Sequence, residues 1–158
     1  MFEEARQLRK ICKNIIFLIN DRIDIALAVG ADGVHIGRED LDYRPARKLL
    51  GSKSIIGVTV HNVKEAMLAE KSGADYLGVS PIFCTTTKLD AGKAIGIAGL
   101  KKIRNKTTIP IVAIGGITLR NARPVIAQGA DALCAISAVV TKHGVRRQIE
   151  KFQDLFKD

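Results

Sequence analysis

The tripeptide Gly-Ala-Asp occurs three times in this chain, at Gly30-Ala31-Asp32, Gly73-Ala74-Asp75 and Gly129-Ala130-Asp131. Each copy follows an amphipathic stretch and leads into a short apolar run: Gly33-Val34-His35-Ile36, Tyr76-Leu77-Gly78-Val79 and Ala132-Leu133-Cys134-Ala135-Ile136. Such a pattern reads as a helix stopped by glycine, which accepts the left-handed conformation, followed by entry into a buried strand. The intervals leave room for two strand–helix units between one copy and the next, so the copies mark every second unit. Alternation with that period belongs to a (β/α) barrel, whose successive strands fill alternate layers of the interior.

The remaining periodicities fill in the units. Met1 to Lys13 predicts a helix with Ala5, Leu8, Ile11 and Cys12 on one face. The continuous apolar run Ile15–Ile19 predicts a parallel strand buried on both faces. Helices are expected at Ile23–Val29, Pro45–Leu50, Val63–Lys71, Ile97–Asn105, Leu119–Ala127 and Val145–Phe156. Strands are expected at Gly33–Ile36, Ser54–Val60, Tyr76–Val79, Ile109–Ile114 and Ala132–Ile136, with a long loop from Pro81 to Ile95. The expected fold class is therefore α/β, a TIM (β/α)8-type barrel in incomplete form, with about six βα units in a single domain over residues 1–158. At 158 residues the chain is short against the roughly 250 typical of such barrels. The first two strands, and the helix between them, are expected to be missing.

Composition narrows the function classes. The formal charge of +9 invites a nucleic-acid reading, but the basic residues are scattered over helices, aromatic residues are few, and no nucleic-acid motif is present. A basic surface that draws in small phosphorylated substrates fits, as does a plain solvated surface. No apolar run is long enough to span a membrane, so no membrane partner is expected. Cys12, Cys84 and Cys134 lack the spacing of a zinc site and are expected to be reduced, mostly buried thiols of a cytoplasmic protein.

Catalytic groups of a barrel lie at the carboxyl ends of its strands. Those ends read Asn20-Asp21-Arg22, His35 to Asp40, Thr59 to Asn62, Ser80 to Lys88, Gly115 to Thr118 and Ile136-Ser137-Ala138. Polar, hydroxyl-bearing and glycine residues collect there, while the opposite rim carries the Gly-Ala-Asp turns, which stability explains better. Gly115-Gly116 before a helix, with Ser137 at the next strand end, suits a phosphate, because backbone N–H groups approach closely where no side chain intrudes. Asp21 and Asp40 follow neighbouring strands and have the hard oxygen donors that suit Mg²⁺, though each also reads as a cap or surface charge. Thr85-Thr86-Thr87-Lys88 sets consecutive hydroxyls beside an ammonium, a combination able to wrap a pyrophosphate. His35 and His61 stand at strand ends, where each either binds substrate or orders its loop.

These segments resemble the thiamine phosphate synthase family: Asn20-Asp21-Arg22, Gly30 to Asp40, Gly73 to Lys88, Ala113 to Thr118 and Gly129 to Ala138, in order and over almost the whole chain. The resemblance implies a (β/α)8 barrel, a transferase that joins hydroxymethylpyrimidine diphosphate to thiazole phosphate, giving thiamine monophosphate and pyrophosphate. It implies that Asp21 and Asp40 hold Mg²⁺, and that Asn20, Thr59 and Lys88 grip the pyrophosphate, with Thr59 and Lys88 as the catalytic pair. Thr85, Thr87, Gly116, Ile136 and Ser137 would receive the thiazole phosphate. In the family, pyrophosphate leaves first and the thiazole nitrogen attacks the resulting pyrimidine-stabilised carbocation. Such a reaction needs charge neutralisation and positioning rather than a nucleophile or general base.

The chain departs from the family in two places. Thr59 stands where Ser is usual, which keeps the hydroxyl. The family's Gln-x-Arg-x-Lys segment, which also holds the diphosphate, has no counterpart. Two alternatives follow. One is the related thiazole tautomerase, which uses a His in the long loop; Ser80-Pro81-Ile82-Phe83 lacks it. The other is a non-catalytic remnant or one half of a split synthase, whose open strand edges near Ile15–Ile19 and Ala132–Ile136 invite a complementing chain or a second copy.

Overall fold

The computed structural model describes residues 1–37, 40–87, 92–141 and 143–157. Helix α1 (Phe2–Ile11) precedes six strand–helix units: β1 (Leu18–Asn20), α2 (Ile23–Val29), β2 (Gly33–Ile36), α3 (Tyr43–Leu50), β3 (Ile55–Val60), α4 (Val63–Ser72), β4 (Tyr76–Val79), α5 (Gly96–Arg104), β5 (Ile111–Ile114), α6 (Ala122–Ala127), β6 (Ala132–Cys134), α7 (Ser137–Val140) and α8 (Val145–Asp154). All strand pairs are parallel and the order in the sheet is the order in the chain, β1-β2-β3-β4-β5-β6. This is the expected incomplete TIM-type barrel, an open run of six strands with helices on one face.

Burial follows the period of two that a strand imposes. Val34, Ile56, Val60, Leu77, Val79, Ile111 and Ala113 are fully buried on the helix-covered face. There they pack with helical residues such as Ala46, Ala66, Leu100, Ile103 and Val125. The alternate residues Leu18, His35, Thr59, Tyr76, Val112, Ile114 and Cys134 are half-buried on the other face.

The three Gly-Ala-Asp turns share one construction. Gly30 and Gly73 cap α2 and α4 in the left-handed conformation, with φ of 62° and 97°, and Gly129 just beyond α6 has φ of 98°. The following alanine N–H groups of Ala31, Ala74 and Ala130 donate back to Ala26, Ala69 and Val125 carbonyls, closing a Schellman motif each time. The aspartate N–H groups of Asp32, Asp75 and Asp131 then donate to Phe17, Ile56 and Ile111 carbonyls, each at 2.9 Å. Their carboxylates accept the N–H of those same three residues, at 2.8, 2.7 and 2.8 Å. Each carboxylate also meets an arginine from the helix before the paired strand: Arg9 at 3.1 Å, Arg47 at 2.6 Å and Arg104 at 3.0 Å. The arginines additionally donate to loop carbonyls, Cys12, Ser54 and Thr107 among them. The sequence repeat is thus a threefold clasp joining β1 to β2, β3 to β4 and β5 to β6.

Four expectations are corrected. The run Ile15–Ile19 is not a strand buried on both faces: β1 starts at Leu18, and Ile15 and Ile16 are 65% and 68% exposed. Among the described residues β1 pairs with β2 alone, from Leu18 to Asn20, so ladder bonds and burial reach just the last residues of the apolar run. Helix α6 opens at Ala122 rather than Leu119, because the Asn121 side chain closes a turn, accepting the Thr118 N–H and donating to the Gly116 carbonyl. Strand β6 stops at Cys134, and Ser137 starts the short helix α7. The cysteines are not mostly buried: Cys84 is exposed, Cys12 and Cys134 are intermediate, and all three are free thiols. No helix among the described residues is long and apolar enough to cross a membrane.

Candidate functional site

The carboxyl ends of the strands form one rim, opposite the clasps. At the end of β1, Asn20 is exposed and Asp21 takes φ of 63°, the left-handed region that a non-glycine residue rarely enters. The Asp21 N–H continues the ladder to the His35 carbonyl at 2.8 Å. Past β2, the Asp40 carboxylate accepts the Gly37 N–H at 2.6 Å. Two half-buried carboxylates after adjacent strands offer the hard oxygen donors and the exposure to water that Mg²⁺ takes. Among the described residues no group of three or more His, Cys, Asp or Glu side chains is gathered for a metal, so a cation here would keep most of its waters. Lys88 lies outside the described residues.

Three side chains on the open face of β2, β3 and β4 form a hydrogen-bonded chain. His35 Nδ1 lies 2.9 Å from the Tyr76 hydroxyl, and His35 Nε2 lies 2.8 Å from Thr59 Oγ1. The two rings are stacked at 5.5 Å between centroids. In register, His35 faces Gly57 and Gly57 faces Tyr76, so the two rings flank a residue with no side chain. A Cβ on Gly57 would sit 2.0 Å from Tyr76 Cζ, and one on Gly78, beside Thr59, would sit 2.6 Å from His35 Cε1. The rings need the space that these two glycines leave open. Burial pushes the Tyr76 phenol up to about 12, with the neighbouring Cys134 contributing, so it keeps its proton at neutral pH.

His61 has the other role open to a rim histidine. Its Nδ1 pairs with Glu65 Oε2 at 3.0 Å, and its N–H donates to the same oxygen at 2.8 Å. Asn62 caps α4 by accepting the Glu65 N–H, and donates its own side-chain N–H to Glu65. Burial alone would raise the Glu65 carboxyl, but the hydrogen bonds from His61 and Asn62 hold it below its ordinary value. His61 therefore orders the turn into α4.

The loops after β4 and β5 are joined. Ile82 and Phe83 N–H groups donate to the Ile114 and Gly115 carbonyls at 2.8 and 3.1 Å. A Cβ on Gly115 would meet Pro81 Cβ at 2.7 Å, and one on Gly116 would meet the Cys84 carbonyl at 2.7 Å. The glycine pair therefore serves close approach of two loops; a helix N-terminus is not directly behind it, since α6 opens at Ala122. Thr85 is half-buried and Thr87 exposed, and the Thr87 N–H donates to Thr85 Oγ1 at 3.2 Å. Ile136 and Ser137 are exposed at the start of α7.

The sequence pointed to Asn20, Asp21, Asp40, Thr59, Thr85, Thr87, Gly116, Ile136 and Ser137, and all of these stand at this rim. The linkage of Tyr76 to His35 and Thr59 escaped sequence reasoning. Its one signal is a glycine at a central position in each of two neighbouring apolar strands, Gly57 and Gly78.

Parallel strands in chain order, helices on one face and polar groups gathered at the carboxyl rim define a (β/α)-barrel of the enzyme type. The profile of the thiamine monophosphate synthase family matches residues 1–139. Thiamine-phosphate synthase of Methanosarcina mazei is 55% identical over 100% of this chain and 66% of its own length. That of Methanosarcina barkeri is 52% identical over 99% of this chain and 72% of its own. The structure of thiamine phosphate pyrophosphorylase from Pyrococcus furiosus superposes with a TM-score of 0.91 at 41% identity, covering 99% of this chain and 75% of that one. The chain belongs to the thiamine monophosphate synthase family, spanning roughly two thirds to three quarters of the length of these relatives.

Proposed function

We propose that the chain takes part in the joining of hydroxymethylpyrimidine diphosphate to thiazole phosphate, releasing pyrophosphate and thiamine monophosphate. The observation that carries this reading is the collection of the family's polar set at one rim, from Asn20 and Asp21 after β1 to Ser137 after β6. Asp21 and Asp40 would hold Mg²⁺, which supplies charge neutralisation for a diphosphate leaving group when bound. Asn20 and Thr59 donate to the diphosphate oxygens, and Lys88 adds a point charge. Thr85, Thr87, Gly116, Ile136 and Ser137 receive the thiazole phosphate on hydroxyl and backbone N–H groups.

The reaction breaks one carbon–oxygen bond to pyrophosphate and forms one carbon–nitrogen bond from the thiazole nitrogen. The electron pair of the broken bond leaves with pyrophosphate and the ring nitrogen supplies the new one, so no proton is transferred. The rim accordingly needs anion binding and alignment, and the hydroxyls and amides gathered there supply both. The substrates are small polyanions and the three cysteines are free thiols, so a cytoplasmic setting belongs to the proposal.

A second reading concerns partners. Ile11, Ile15 and Ile16 are exposed beside the outer strand β1, and Ile136 and Val140 beside β6. Apolar surface flanking strand edges that have no partner strand among the described residues suits pairing with further strands, from a second copy or a complementing chain. Light scattering separates the readings: a compact monodisperse monomer removes the second.

Calorimetric titration with pyrophosphate and Mg²⁺, and separately with thiazole phosphate, tests the first. Binding of both, followed by chromatographic detection of thiamine monophosphate on mixing substrates, is the expected result. Thiazole phosphate binding without pyrophosphate binding would place the diphosphate grip outside this chain.

A further inference from the structure

We propose that Tyr76 and His35 are positioning residues that aim the Thr59 hydroxyl proton at the diphosphate, through a hydrogen-bond chain of fixed direction. This inference rests on the proposed reaction and adds the device by which one of its donors is oriented.

The direction follows from the phenol. Among the described residues, the Tyr76 hydroxyl has its hydrogen bond with His35 Nδ1, at 2.9 Å, on a face where Tyr76 is half-buried. A phenol that accepted from Nδ1 would leave its own O–H without a protein acceptor among the described residues, whereas donating to Nδ1 pairs both groups. Tyr76 therefore donates, and Nδ1 is the acceptor nitrogen. A neutral imidazole with an acceptor at Nδ1 carries its proton at Nε2. That proton lies toward Thr59 Oγ1, 2.8 Å away, and occupies one of the hydroxyl's lone pairs. The hydroxyl has no need to donate to His35, and its own proton remains available to an anion at the rim. With the opposite tautomer, Thr59 would spend that proton on Nε2 and present only lone pairs to a negatively charged group.

The arrangement is built into the sheet. Gly57 and Gly78 leave the gaps in which the two rings lie, and a Cβ at either position would collide with them. Two glycines in central strands weaken a sheet, and this ring pair is what their absence of side chains accommodates.

The test reads the tautomer directly. Nitrogen-15 NMR of the full chain with labelled histidine, in wild type and in His61→Gln and His143→Gln variants that remove the other two signals, gives the state of each His35 nitrogen. The expected result is a protonated Nε2 and a bare Nδ1, with that preference lost in Tyr76→Phe. A protonated Nδ1 in the wild type overturns the proposal whether or not the chain turns over. In the kinetic arm, Tyr76→Phe lowers kcat about tenfold with an unchanged KM for thiazole phosphate. Tyr76→Phe added to Thr59→Ala costs nothing further, because the hydroxyl it orients is gone. Fully additive losses overturn the proposal. The expected tautomer together with no product from the wild type would defeat the reaction assigned to the rim, and the catalytic role of the chain of hydrogen bonds with it.

Discussion

Arg47 and Asp75 meet at 2.6 Å across the amino-terminal rim, the guanidinium coming from the helix before β3 and the carboxylate from the turn before β4. The same carboxylate accepts the Ile56 N–H from β3 at 2.7 Å. Asp75→Ala leaves that N–H and the arginine without their acceptor, and a loss of about 2 kcal/mol is expected, the size of a hydrogen bond to a charged group. The comparison is Glu150→Ala, which removes the Arg146 pair on the exposed surface of α8 and is expected to cost less than about 0.5 kcal/mol. Urea denaturation of both variants measures the difference.

The pH dependence of stability has a different origin at each end. The Phe17 N–H, and then Arg9, hold the Asp32 carboxyl below its ordinary value. The unfolded chain therefore takes up this proton more readily than the folded one. The stabilisation is present above the ordinary carboxyl value, about 3.9, and is lost as the pH falls through the lower folded value. Tyr76 runs the other way: its folded value is about 12 against an ordinary 10.0. Its contribution is whole below pH 10 and is lost as the pH rises toward 12. A Tyr43→Phe variant leaves Tyr76 as the one tyrosine of the two in the chain. Its phenolate absorbance is expected to appear near pH 12, and titration at the ordinary value would contradict the burial.

Gly57→Ala forces a methyl group into the Tyr76 ring, 2.0 Å from Cζ. Overpacking of this kind costs about 1–3 kcal/mol, and the displaced ring loses its hold on His35. Chemical denaturation is expected to show the loss, and near-ultraviolet circular dichroism a changed tyrosine environment.

Gly116→Ala meets two obstacles, a φ of 64° and the Cys84 carbonyl 2.7 Å away. The loop after β4 has to retreat, carrying Thr85 with it. Thiazole phosphate affinity is expected to fall about tenfold, or about 1.4 kcal/mol, while pyrophosphate binding changes little. Calorimetry with each ligand in turn checks the separation.

The elements that were legible are those whose signal is local. Strands β2 and β4 occupy the residues the turns announced, Gly33–Ile36 and Tyr76–Val79, because a glycine cap and an apolar run are both written within a few positions. Ile15–Ile19 misled because apolarity reports a capacity for burial, whereas pairing partners decide where a strand begins. The aspartates of the repeat were visible; their arginines were not, since Arg9, Arg47 and Arg104 sit a helix and a strand away and nothing in the intervening sequence ties them. At the rim, His61 and His35 look alike as rim histidines, and only contacts separate a loop-ordering ring bonded to Glu65 from one set between Tyr76 and Thr59.

The clasps also bear on how the molecule assembles. Arg9 and Asp32 are 23 residues apart, Arg47 and Asp75 28, and Arg104 and Asp131 27. Every ladder of the sheet joins strands consecutive in the chain. Loops of that length close at small entropic cost, and a topology made of near-neighbour contacts folds fast for its size. A chain leaving the ribosome has all the parts of each clasped pair within one short stretch, so the order of synthesis serves as the order of assembly.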